Sequence, residues 1–201
     1  MHSFMATLQL STIARIGTPT RTLSSLSSHG NILGGSSICP NAEETFRTWH
    51  TTANLMMSGG GKDENIGEQQ MHAKLRNHFH DAVKFYPPTY HNNWTGADET
   101  LVLLRCVSEV FGDSFRYKRQ WLSDNGREWC LEFSAEIDGD EKKKLTLEGV
   151  DLVSLDEEGK IVEFKVLARP PNAVAALKKK MMAKVPIPMA ALKAKQALGL
   201  Q

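Results

Sequence analysis

Cysteine is scarce in this chain, and acidic residues are missing from both of its ends. The three cysteines, Cys39, Cys106 and Cys130, form no Cys-x-x-Cys pair and have no histidine at zinc-site spacing. That pattern excludes a disulfide-stapled scaffold and carries no zinc signature; lone cysteines of this kind pack as small apolar side chains. No uninterrupted apolar run approaches the ~18–20 residues of a membrane-crossing helix, so no membrane span is expected. Net charge is almost absent too: +1 over 201 residues gives no general attraction to nucleic acid. A basic strand face with interleaved aromatics is also lacking, and nucleic acid is not an expected partner. The apolar share, 41%, is ordinary for a globular chain and allows one domain with appendages.

The missing acids divide the chain. From Met1 to Asn41 there is no Asp or Glu, while Ser and Thr are frequent and Arg15 and Arg21 supply positive charge. This is the composition of an organelle transit peptide, mitochondrial or alternatively plastid, with cleavage expected between about Trp49 and Ser58. A disordered tail, or true initiation at Met56 or Met57, fits the same stretch. Gly59-Gly-Gly61 and Lys62 then read as a flexible linker. Four segments follow: a leader or tail over 1–58, the linker over 59–62, a folded domain over 63–171, and a basic helical extension over 172–201 that has no acid at all.

Within the domain, a helix is predicted from Asp63 to His80, then a short strand Ala82–Tyr86 stopped by Pro87-Pro88. His72, Arg76 and His80 share one face of that helix. A cation in the middle of the row repels a metal, so the row reads as a solvated face; neither a metal nor a cofactor is predicted. A loop leads through Trp94 and Gly96 to a second helix, Glu99–Phe111, with Leu101, Leu104, Val107, Ser108 and Phe111 on its core stripe. From Ser114 the period changes to two. Phe115, Tyr117, Arg119 and Trp121 alternate on one face of a strand. Trp129, Leu131, Phe133, Ala135 and Ile137 do so on the next. Leu145 to Arg169 then forms a hairpin around Asp156-Glu-Glu-Gly159. Past Pro171 two helical pieces flank Val185-Pro-Ile-Pro188, with Val174, Leu177 and Met181 docking on the sheet and the lysines facing solvent. The predicted class is α+β: helices packed on one face of a curved antiparallel sheet.

One ionisable residue breaks the pattern. Asp151 shares a strand face with Leu145, Leu147, Gly149, Val153 and Leu155. A carboxylate among apolar neighbours is costly unless it is paired, hydrogen-bonded or protonated. Backbone, Arg169 or a tyrosine hydroxyl would satisfy it without chemistry; a ligand would make it functional.

The run Phe79-His-Asp-Ala-Val-Lys-Phe-Tyr-Pro-Pro-Thr-Tyr-His91, followed by Trp94-Thr-Gly96, resembles the opening of nuclear-transport-factor-2-like proteins of the SnoaL-like branch. Leu147 to Leu155, Gly159-Lys-Ile-Val-Glu163, and Arg169-Pro170 resemble that branch's closing hairpin, so the likeness spans roughly Asp63 to Met182. It implies a cone-shaped, strongly curved sheet wrapped around N-terminal helices and enclosing a mostly apolar cavity. It also implies a small hydrophobic molecule as partner and a homodimer through the outer sheet face. The branch contains polyketide cyclases, ketosteroid isomerase, epoxide hydrolases and dehydratases, besides members that only bind, so the implied function is an acid–base isomerase, cyclase or hydratase. The alternative is a non-catalytic ligand-binding or assembly module. By position Asp151 matches the acid that ketosteroid isomerase keeps protonated, whereas Tyr86 stands where that enzyme has its carboxylate base. The candidate catalytic residues are therefore Asp151, His91 and Tyr86, and the candidate pocket residues are Tyr117, Trp121, Leu131 and Phe133.

Overall fold

A computed structural model of the chain describes residue 39 and residues 41–57, 73–139 and 143–199, with the backbone alone for 53–57. Its strands are β1 (Phe79–Tyr86), β2 (Trp94–Thr95), β3 (Arg116–Leu122), β4 (Glu128–Asp138), β5 (Lys144–Leu155) and β6 (Ile161–Arg169). Its long helices are α1 (Ala42–Met57), α2 (Ala97–Phe111), α3 (Pro171–Lys184) and α4 (Pro186–Ala197). The strands form one open sheet in the order β2-β1-β6-β5-β4-β3. All pairings are antiparallel except β1 with β6, which is parallel, so the sheet is mixed and departs there from the purely antiparallel expectation. The helices pack on its inner face, as the α+β class requires.

Alternation builds the centre of this sheet. Trp129, Leu131, Phe133, Ala135 and Ile137 of β4 and Leu147, Asp151, Val153 and Leu155 of β5 are all buried on the inner side. The turn between β5 and β6 is tied by Asp156 Oδ1, which accepts the backbone N–H groups of Glu158 and Lys160. Gly159 closes it at φ 81°.

That turn also receives α1. Asn41 Nδ2 donates to the Glu158 carbonyl at 2.9 Å, and Thr45 Oγ1 donates to the Gly159 carbonyl at 2.7 Å. A Cβ on Gly159 would lie 2.7 Å from Asn41, so glycine serves both the turn and the docking. Ala42, Thr45, Trp49 and Thr52, at helical spacing, are buried against the sheet. The folded part therefore reaches back at least to Cys39, and the predicted boundary at residues 58–63 is corrected. Cleavage between Trp49 and Ser58, or initiation at Met56 or Met57, would remove a core helix. Residues 1–38 lie outside the described residues, as does the predicted linker.

Two further expectations change. Helical backbone ends at residue 77 and β1 starts at Phe79, because Phe79, Val83 and Phe85 are needed on the core side of a strand. The predicted helix from Asp63 to His80 thus loses its last turn to the sheet, and its first half lies outside the described residues. In β3, register slips between Tyr117 and Gln120, so that Tyr117 faces Phe133 but Gln120 faces Leu131 and Trp121 faces Cys130. One extra residue on a bulged strand inverts every later side chain. Gln120 is consequently buried and Trp121 lies on the outer face, with the Arg119 guanidinium 5.2 Å from its ring centre.

Helix α2 is covered on more than one side, which explains why Leu101 and Leu104 as well as Leu103 and Cys106 are buried. The C-terminal pair then completes the inner layer: α3 buries Ala173 and Leu177 in the Phe111–Phe133–Leu147 cluster, and α4 buries Met189 in the main core. None of the described helices is long and apolar enough to cross a membrane.

Candidate functional site

Between the inner face of the sheet, α2 and the C-terminal helices lies a cavity of about 490 Å³. Its wall is overwhelmingly apolar: Phe133, Leu147 and Phe164 from the sheet, Leu104 and Phe111 from α2, Met181 and Met189 from α3 and α4. Among the described residues that line it Asp151 is the only carboxylate, and Tyr117 and Trp49 stand beside it on the wall.

These three side chains form a relay. Trp49 Nε1 donates to Tyr117 Oη at 3.0 Å, and Tyr117 Oη donates to Asp151 Oδ2 at 2.8 Å. The direction is set by chemistry. An indole can only donate, so the tyrosine oxygen accepts from it and spends its own proton on the carboxyl. Each member comes from a different element, α1, β3 and β5. Asp151 faces Leu131 across the β4 ladder and Val166 across the β6 ladder, which holds its side chain toward the cavity. Two residues earlier on the same face, a Cβ on Gly149 would lie 2.6 Å from the Phe133 ring; glycine lets that ring lie over the sheet next to Asp151.

Burial dominates the electrostatics. It pushes the Asp151 carboxyl up to about 7, against the opposing pull of the Tyr117 hydrogen bond. The Tyr117 hydroxyl is raised well above its ordinary value, first by burial and then by the Asp151 charge, and so remains a donor. Among the described residues the second Asp151 oxygen takes no hydrogen bond, which leaves it to a ligand. On the flank of Tyr117, 5.2 Å between ring centres, His50 is lowered to about 4 by burial and is neutral near pH 7. Its Nε2 has no partner among the described residues.

No protein-family model matches the chain, and no curated protein does. Solved structures do. A crystal structure of a steroid delta-isomerase from Pseudomonas aeruginosa is 30% identical, with a TM-score of 0.59, and the match covers 76% of this chain and 97% of that one. An uncharacterized protein conserved in bacteria with a cystatin-like fold, from Silicibacter pomeroyi, is 31% identical at a TM-score of 0.58, covering 76% and 93%. This chain belongs to the SnoaL-like branch of the nuclear-transport-factor-2-like superfamily. A Jannaschia protein assigned as a SnoaL-like polyketide cyclase shares the fold at 11% identity and a TM-score of 0.50, covering 74% and 98%.

Within this SnoaL-like domain the structure brings together Asp151, Tyr117 and Phe133 of the residues singled out in the sequence. The other four lie elsewhere. Leu131 is fully buried in the core and off the cavity wall. The β3 bulge has turned Trp121 outward. His91 is exposed in the loop after Pro87-Pro88 and is off the wall. Tyr86 lies on the outer face, opposite Lys165 of β6, whose Nζ is 4.9 Å from its ring centre; Phe85 takes the inward place. Neither proposed proton-moving partner therefore faces Asp151. Trp49, missed in the sequence, was signalled only by its helical spacing with Ala42, Thr45 and Thr52. Of the predicted histidine row, Arg76 binds Asp98 and Asp81, and His80 sits exposed on β1. No group of three or more metal-binding side chains converges among the described residues.

Proposed function

We propose that this SnoaL-like domain binds a small, largely apolar molecule with one oxygen function in the cavity and moves a proton on it with Asp151. The observation that carries the reading is the Trp49–Tyr117–Asp151 relay ending, at a carboxyl held near 7, on a largely apolar wall. Such a group is close to half ionised at neutral pH, where a general acid or base is most effective. When ionised, Asp151 takes a proton from a carbon next to a carbonyl; when protonated, it returns the proton at a second carbon. Tyr117 stabilises the ionised form throughout. With no second carboxylate among the described residues of the wall, a proton shift within one molecule suits the site better than a reaction needing separate acid and base. The likeness to a steroid delta-isomerase supports the same class.

The test is turnover of β,γ-unsaturated ketones, steroidal and monocyclic, to their conjugated isomers. Asp151→Asn is expected to reduce the rate at least about 100-fold while the domain stays folded. Full activity in that variant overturns the assignment. A second reading, a binding module without chemistry, is favoured by the lone carboxylate on the wall. Native mass spectrometry showing an apolar ligand retained equally by wild type and Asp151→Asn, with no turnover of any ketone, supports that reading over the first.

A further inference from the structure

Helices α3 and α4, which wall the cavity, also carry an apolar surface that none of the described residues covers. On α4 and at the residue that caps its end, Ile187, Ala191, Ala194 and Leu198 recur at helical spacing and all are exposed, Ile187 to 80% and Leu198 to 72%. The opposite side of α4 is already used: Met189 is buried, and Lys193 and Gln196 bond Glu99 of α2. Met182 of α3 is 59% exposed and Tyr90, from the loop after β1, 45% exposed; both line the cavity, as do Pro186 and Ala190 of α4, the chain neighbours of Ile187 and Ala191. The uncovered stripe and the cavity wall are thus continuous across the same two helices.

The charges carried by α3, α4 and the loop after β1 have one sign. No acid occurs after Glu163, and the loop Pro87 to Gly96 has none either. Lys180, Lys184 and Lys193 are spent on Asp138, Glu109 and Glu99, and these ion pairs clip the helices to the body. Lys178 lies over the Tyr90 ring at 5.1 Å, and Lys195, beside Ala191 and Leu198 on the helix, makes no ion pair among the described residues. Exposed Ile, Leu, Met and Tyr with lysines among them, and no carboxylate on the same elements, match a bilayer interface: the apolar side chains enter the acyl boundary and the ammonium groups meet phosphate.

We infer that α3 and α4 dock the domain on the surface of a bilayer containing anionic phospholipid, with the cavity loaded from the bilayer across Met182, Tyr90 and Pro186. The inference goes beyond the catalytic reading and holds whether or not Asp151 does chemistry, so turnover is not its readout.

The experiment is flotation of the full-length chain with vesicles of phosphatidylcholine alone or with about one third phosphatidylglycerol. Hydrogen exchange over residues 182–198 is followed in parallel. Binding to the anionic vesicles that weakens with salt, together with slowed exchange in that segment, is the expected result. Ile187→Glu combined with Leu198→Glu is expected to weaken binding at least about tenfold without lowering the melting temperature, since both side chains are solvent-exposed. Leu167→Glu, an exposed apolar position on the outer face of the sheet, is expected to leave it unchanged. Absence of partitioning, or equal partitioning of the double variant, overturns the inference. A wild-type dimer that the double variant converts to monomer does so as well, because the stripe then belongs to a second copy.

Discussion

Asp151→Asn should stabilise the protein at alkaline pH and not at acid pH. The unfolded chain releases the Asp151 proton near the ordinary aspartate value of about 4, whereas the folded chain holds it to about 7. Below about pH 4 both states are protonated and the contribution to stability is fully present. Between about pH 4 and 7 the folded state carries a proton that the unfolded state has lost, and stability falls by about 1.4 kcal/mol per pH unit. Above about pH 7 both are ionised and the contribution, about 4 kcal/mol in all, is gone. Asparagine keeps the shape, accepts the Tyr117 hydrogen bond through its amide oxygen and never ionises. The stability difference between variant and wild type should therefore move by about 3 kcal/mol toward the variant between pH 5 and pH 8. For a domain of this size that is about 6–12 °C in melting temperature. Comparing the two proteins at each pH cancels every other titrating group, and calorimetric or denaturant unfolding reads the result. A difference that stays constant with pH, or that moves toward the wild type, refutes a buried Asp151 with a raised pKa.

Trp49→Phe retains a ring in the core but removes the N–H that Tyr117 accepts, at an expected cost of about 1 kcal/mol in unfolding free energy. The Trp49 bond keeps the Tyr117 proton more acidic, and the Tyr117 bond lowers Asp151, so the Asp151 titration followed by carboxyl-carbon NMR should move upward; an unmoved titration denies the relay. Chains starting at residue 39 and at residue 59 should differ in kind, the first unfolding cooperatively and the second losing that transition with α1; a cooperative 59–201 chain contradicts the core role of Trp49. Residues 1–38 fused to a fluorescent reporter should carry it into mitochondria, and a diffuse cytosolic signal refutes targeting.

Long strict alternation is what makes the centre of the fold readable from residues alone. The 11 residues of β4 and 12 of β5 keep their period without interruption, so the face that carries Asp151 follows from the pattern. A bulge leaves no comparable mark. Nothing in Arg116 to Leu122 announces that Lys118 and Arg119 absorb an extra residue, yet that one step moves Trp121 from the predicted pocket to the outer face and puts Gln120 inside. Helix α1 escapes for a different reason. Among its described side chains two of the four buried ones are Thr45 and Thr52, and the first finds its partners only far along the chain, at His78 Nδ1 and at the Gly159 carbonyl 114 residues away. Its inner face therefore does not look apolar, and its hydroxyl-rich composition reads as part of a leader.

The same distance effect separates Asp151 from its partners. A lone acid on an apolar strand face is visible in its own neighbourhood, but Tyr117 lies 34 residues from it and Trp49 a further 68. Only the folded sheet, with α1 anchored on the β5–β6 turn, joins the three. That anchoring gives α1 a part in the site as well as in the core: Asn41 and Thr45 hold the helix at Gly159, and one turn on, Trp49 reaches Tyr117. Processing within the helix would thus do more than destabilise the sheet, because it would remove the donor that orients the hydroxyl facing Asp151. If targeting by residues 1–38 is correct, a cleavage compatible with the proposed function has to fall before Cys39, where no part of the relay or of its anchor is lost.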